Sequence, residues 1–147
     1  MTKQTPRTCW DKDKACKRLG IPYRIVEMGK EVGGFSELNK RYIKINERDK
    51  DKTRVWVHEL AHTLLHFKNI EAAAGRDMKL NAIAELEADT VAYIVCKVLG
   101  CEDRAEYLSY VKCFTARIPA NEQSVSILDE RMPKLLNIVN IILKAGK

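Results

Sequence analysis

Residues 55–67 read Val55-Trp56-Val57-His58-Glu59-Leu60-Ala61-His62-Thr63-Leu64-Leu65-His66-Phe67. Apolar residues at 55, 56, 60, 64 and 67 recur with a helical period, so this stretch predicts a helix beginning near Asp49 or Asp51 and stopping near Asn69. Four residues turn a helix by about 400°, which projects His58 and His62 from nearly the same face. Two imidazoles at that spacing can share one tetrahedral zinc ion. Glu59 then lies beside the open coordination position, where a carboxylate can take a proton from water. Without a metal, the same residues read as an amphipathic helix carrying two hydrogen-bonded histidines.

A zinc site of this kind needs a third protein ligand. The segment Glu85-Leu86-Glu87-Ala88-Asp89 supplies candidates on a second long helix, Leu80 to Leu99, closed by Gly100. Glu85 and Asp89 are four apart and share a face, whereas Glu87 lies about 200° from Glu85. Glu85 is therefore the expected metal ligand and Glu87 the next candidate. Asp89 is expected to accept the spare N–H of a ligand histidine and fix its tautomer. Ala84, Ala88 and Ala92 are small enough for two helices to approach closely. Read without a metal, the carboxylates form a solvated acidic face near a helix start. But Val91, Ala92, Ile94, Val95, Val98 and Leu99 make this helix apolar almost all round, and buried carboxylates need partners. His66 sits about 12 Å of helix rise from His58, too far to share one ion, and reads as a polar residue at the helix end. Tyr93 continues the Glu85–Asp89 stripe and is expected in the core.

Working outward, the N-terminal side reads as a small sheet. Cys9 to Leu19 is a short helix, with Gly20 at its C-terminus and Pro22 beyond. Tyr23–Met28 reads as a strand. Gly33-Gly34 reads as a tight reversal, Phe35 as the start of a short edge strand, and Arg41–Asn46 as a half-buried interior strand with Ile43 and Ile45 on one face. The short spacing suggests a meander. Beyond the HExxH helix, residues 71–79 read as a loop, 103–117 as a helix, and 122–144 as a last helix with Pro133 as a point of bending. The expected fold is one α+β domain over residues 1–147, with a small antiparallel or mixed sheet of about three strands packed on the HExxH helix and further helices following.

The 147-residue chain is 46% hydrophobic and 31% charged, which suits a globular domain and excludes a disordered one. No stretch approaches the about 18 apolar residues that a spanning helix needs, and the N-terminus lacks a signal-peptide core, so the expected address is cytoplasmic, with no membrane partner. Five cysteines at 9, 16, 96, 101 and 113 include no CxxC pair and read as free thiols. Cys9 and Cys16, seven apart, read as packing residues. The net charge of +6 belongs to residues 1–54, where 15 Lys/Arg stand against 8 Asp/Glu. Acidic residues at 11, 13, 47, 49 and 51 interleave with the basic ones. A solvated face is therefore expected rather than a nucleic-acid surface.

Taken together, HELAHTLLHF and AELEADTVAYIVCKVLG resemble the ImmA/IrrE family of zincin-like metallopeptidases, and more narrowly the metallopeptidase domain of ArdC-type antirestriction proteins. The resemblance covers residues 33–100 through specific motifs and 101–144 only as a loose helical pattern. It implies a zincin-like, gluzincin-type fold with zinc held by His58, His62 and Glu85 and with Glu59 as general base. It further implies hydrolysis of a peptide bond in a protein partner, such as a helix-turn-helix repressor encoded by a mobile element. No counterpart of the ArdC-type DNA-binding domain is recognisable, so a DNA-binding role does not transfer. Two other readings stand beside this one. The first is a zincin-fold regulatory binding protein with little hydrolysis, and the second is a basic nucleic-acid-associated accessory.

Overall fold

A computed structural model describes residues 9–30, 32–37, 40–66, 78–101 and 125–147. Among these residues there are four helices, α1 (Lys12–Leu19), α2 (Thr53–His66), α3 (Met78–Leu99) and α4 (Val125–Ala145). Three strands lie between α1 and α2, namely β1 (Tyr23–Val26), β2 (Gly34–Glu37) and β3 (Tyr42–Asn46). The class is α+β. Met78 and Lys79 open α3, while the rest of the expected loop 71–79 and the expected helix 103–117 lie outside the described residues.

Local chemistry sets several boundaries. Asp11 caps α1 by accepting from the Lys14 amide, so the helix begins three residues after Cys9. Cys9 is consequently exposed and takes no part in packing, whereas Cys16 is buried. Gly20 ends α1 at φ 65°, and Gly100 follows α3 at φ 77°. Both occupy the left-handed region, where glycine carries no Cβ penalty. A 3-10 turn, Glu47–Asp49, leads into α2. The last helix runs continuously through Pro133.

The sheet is mixed, in the order β1-β3-β2, and it is not a meander. β2 and β3 are antiparallel, but β1 pairs with β3 in parallel. The link after β1 must therefore pass the C-terminal end of β3 before β2 begins. Asn46 holds that crossing. Its amide nitrogen donates to the carbonyls of Gly29 (3.3 Å) and Val32 (2.7 Å), and its backbone N–H donates to Gly33 O (2.8 Å). Asn46 is 2% exposed, so these bonds meet polar groups that would otherwise be buried without partners. β3 is the interior strand and β2 lies at an edge, as the alternation of residues 41–46 suggests.

Ile43 and Ile45 turn one face of β3 onto α2, and both are fully buried. Trp56, also fully buried, packs edge-on to Tyr23 and donates to Lys50 O at 2.7 Å, which ties the helix to the sheet. On its other side α2 packs against α3, in which Ala84, Ala88 and Ala92 are all buried. α4 closes the core with Leu135, Ile138, Val139 and Ile142. Two expectations change here. Val98 is 63% exposed, so the end of α3 is not apolar-packed all round, and Tyr93 is half-buried beneath Lys97 rather than in the core. No helix among the described residues is long and apolar enough to cross a membrane.

Candidate metal centre

The two long helices bring four of the expected site residues together. His58 and His62 face α3 with their Nε2 atoms 3.1 Å apart. Glu85 reaches both, with Oε2 at 3.3 Å from His58 Nε2 and Oε1 at 3.0 Å from His62 Nε2. A tetrahedral ion with bonds of about 2.0–2.1 Å separates its ligand atoms by about 3.3 Å. The two nitrogens stand near that spacing, each also close to it from a different oxygen of Glu85, and one atom from each residue lies within 4.8 Å of the others. Their chemistry, two imidazoles and one carboxylate, suits a borderline cation such as zinc. His58, His62 and Glu85 can thus hold a metal ion.

Asp89 stands behind the group. Its Oδ1 lies 2.8 Å from His58 Nδ1, which leaves Nε2 as the atom that faces His62 and Glu85. The spacing of Glu85 and Asp89 places both on one face, but it does not say which histidine Asp89 meets. Asp89 is 4% exposed and has a second cationic neighbour, Arg54 Nη1 at 3.8 Å. Arg54 is a site neighbour that the HExxH spacing does not include. Its signal was available, because Arg54 precedes His58 by four residues and begins the stripe 54, 58, 62, 66 on one helix face.

The electrostatics are those of a site that favours positive charge. Burial works against an imidazolium at His58, but hydrogen bonds to Asp89 and Glu85 reverse this and raise its pKa to about 10. Burial alone would raise the Glu85 carboxyl. The same two histidines instead hold it well below the ordinary range. The protein sets two carboxylates against two imidazoles, an arrangement that suits a bound cation.

Glu87 does not join them. It is buried on the opposite side of α3, where its Oε1 lies 3.5 Å from Arg131 Nε of α4. Burial raises its pKa, opposed by Arg131 and Lys134. Its part is to tie α3 to α4, and it is no substitute for Glu85.

His66 is the last residue of α2, as expected, and is buried there. Burial and the neighbouring His62 push its pKa down to about 4, against a smaller upward pull from the Ala84 carbonyl. It is a neutral imidazole whose ring centroid lies 5.4 Å from that of His62, and it is not among the three donors.

Glu59 reaches the sheet. Its Oε2 accepts from Ser36 Oγ of β2 at 2.5 Å. Gly34 lies against the same side chain, and a Cβ there would stand 2.7 Å from Glu59 Cγ and 3.0 Å from Oε1. Gly34 is thus a close-approach glycine inside β2, not part of a tight reversal. No family model, curated protein or solved structure matches this chain.

Proposed function

We propose that the chain is a zinc-dependent endopeptidase with a zincin-like fold, acting on a protein partner. One observation carries the reading: two imidazole nitrogens and a carboxylate converge at 3.0–3.3 Å on one side of α2, while Glu59, a residue of the same helical turn, lies within reach of a strand edge. Zinc, when held by His58, His62 and Glu85, supplies Lewis-acid polarisation of a carbonyl and lowers the pKa of a water. Glu59 takes the proton of the attacking water and returns it to the leaving amine. Asp89, with Arg54 beside it, fixes the ring of His58. The wall opposite the helix is β2, and its short edge can pair with an extended segment through backbone hydrogen bonds. A four-residue strand offers few such bonds, so recognition of the partner depends on docking elsewhere. Resemblance to ImmA/IrrE-type sequences supports a transcriptional repressor as that partner.

The test uses native protein pools incubated with the zinc-loaded chain and with Glu59→Gln. New termini read by mass spectrometry should appear with the first and not with the second. Equal termini from both would refute hydrolysis. Retention of specific proteins without cleavage would favour the regulatory binding protein instead.

A further inference from the structure

The inner face of β2 departs from the pattern of the strand beside it. Gly34 pairs with Ile45 and Ser36 with Ile43, so both share the sheet face that buries those isoleucines against α2. A strand in that position ordinarily turns apolar side chains inward. Here the large apolar residue, Phe35, points the other way and is 53% exposed. The two inward positions hold a glycine and a serine, and both meet one side chain, Glu59. The Ser36 hydroxyl stands 2.5 Å from Glu59 Oε2 and 3.0 Å from the Glu59 backbone carbonyl. That carbonyl also accepts from the Thr63 hydroxyl at 3.1 Å. Lys44 O closes the space beside Gly34, 3.0 Å from where a Cβ would lie. Glu59, 6% exposed, is therefore gripped by the sheet at its methylenes and at both carboxylate oxygens, Oε2 by Ser36 and Oε1 beside Gly34.

From this we infer that Ser36 is a positioning residue for Glu59, with Gly34 providing the room that lets the carboxylate lie against β2. The inference rests on the reading of Glu59 as the general base. A base on a three-bond side chain has several rotamers, and only some of them reach the attacking water. Ser36 holds Oε2 while Oε1 lies against Gly34, so the two residues together fix how the carboxylate is oriented. No other described side chain is seen hydrogen-bonding the Glu59 carboxylate.

The experiment compares zinc-loaded wild type, Ser36→Ala, Ser36→Thr and Glu59→Gln on a substrate identified by the new-termini screen. Zinc content and thermal melting are recorded for each. Misplacing a catalytic group by about 1 Å costs on the order of 100-fold, so Ser36→Ala should lower kcat by about 10- to 100-fold. KM and zinc content should stay near the wild-type values. Ser36→Thr keeps the hydroxyl on a residue that strands accept, and should recover most of the rate. A second readout needs no turnover. In protein labelled with carboxyl-13C glutamate, the resonance lost in Glu59→Gln should move in Ser36→Ala and return in Ser36→Thr. An unmoved resonance, an unchanged kcat in Ser36→Ala, or equal losses in the alanine and threonine variants would overturn the proposal. If Glu59→Gln cleaves as well as wild type, the endopeptidase reading itself falls and the role of Ser36 falls with it. That failure is distinguished by the control alone.

Discussion

Removing the Asp89 carboxylate should weaken metal binding without removing a ligand. Its Oδ1 is the acceptor 2.8 Å from His58 Nδ1 and lies 3.8 Å from Arg54 Nη1, at 4% exposure. Carboxylates that accept from a metal-binding histidine are worth about 10- to 100-fold in affinity. At 1.4 kcal/mol per tenfold, that is about 1.4–2.8 kcal/mol. Asp89→Asn keeps an acceptor of the same shape but loses the charge, and should fall at the lower end. Asp89→Ala leaves a buried N–H without its acceptor, costs the metal-free fold a further ~1–3 kcal/mol, and should fall at the upper end. The assay is competition for zinc against a chromophoric chelator at fixed pH and salt, with circular dichroism to verify folding. Glu87→Gln is the control, because Glu87 sits on the same helix but faces Arg131. A folded Asp89→Ala with wild-type zinc affinity would refute the reasoning. A Glu87→Gln that weakens zinc as strongly would do the same, since the effect would then follow the charge of α3 rather than the contact with His58.

Three further outcomes follow from the same geometry. Metal analysis of purified protein should find about one zinc per chain, lost in His58→Ala, His62→Ala and Glu85→Ala but retained in Glu59→Gln; full occupancy in Glu85→Ala would assign the third ligand elsewhere. The Cys16 thiol is pushed from 9.0 up to about 12, first by burial and then by Asp13. The unfolded chain releases that proton above about pH 9 while the folded chain keeps it, so this stability is present below pH 9 and is lost as pH rises toward 12, by up to ~1.4 kcal/mol per unit. Urea melts should therefore fall more steeply with alkaline pH for wild type than for Cys16→Ala, and parallel slopes would contradict this. Several basic side chains before α2 are already paired, as in Lys50–Glu47, Lys52–Asp49 and Arg48–Asp49, so a mobility-shift titration at physiological salt should show little retardation of DNA or RNA. Tight binding with a steep salt slope would identify a nucleic-acid surface instead.

How far the sequence reached depends on the range over which each feature is determined. Helical spacing is a local property of the backbone. It is enough to put His58 beside His62, to put Glu85 and Asp89 on one face of α3, and to turn Glu87 away. The helix ends at Gly20 and Gly100 are also local, since a left-handed residue is needed there whatever lies beyond. The alternation at Ile43 and Ile45 identifies the interior strand for the same reason.

Other features rest on contacts between residues far apart in the chain, and the sequence carries no local trace of them. The parallel pairing of β1 with β3 depends on Asn46 meeting carbonyls of the link that follows β1. Short spacing alone suggests a hairpin at that point. Glycines 33 and 34 look like a turn because glycine permits one, yet Gly34 is small because Glu59 needs its space. Asp89 could have met either histidine, and the interhelical register of α2 and α3 selects His58. Glu87 was legible as pointing elsewhere, but only the packing of α4 supplies Arg131. Spacing along one element fixes which side chains share a face. What that face meets is decided by how whole elements compete to bury their apolar surfaces and satisfy their polar groups, and that competition is settled only in the tertiary structure.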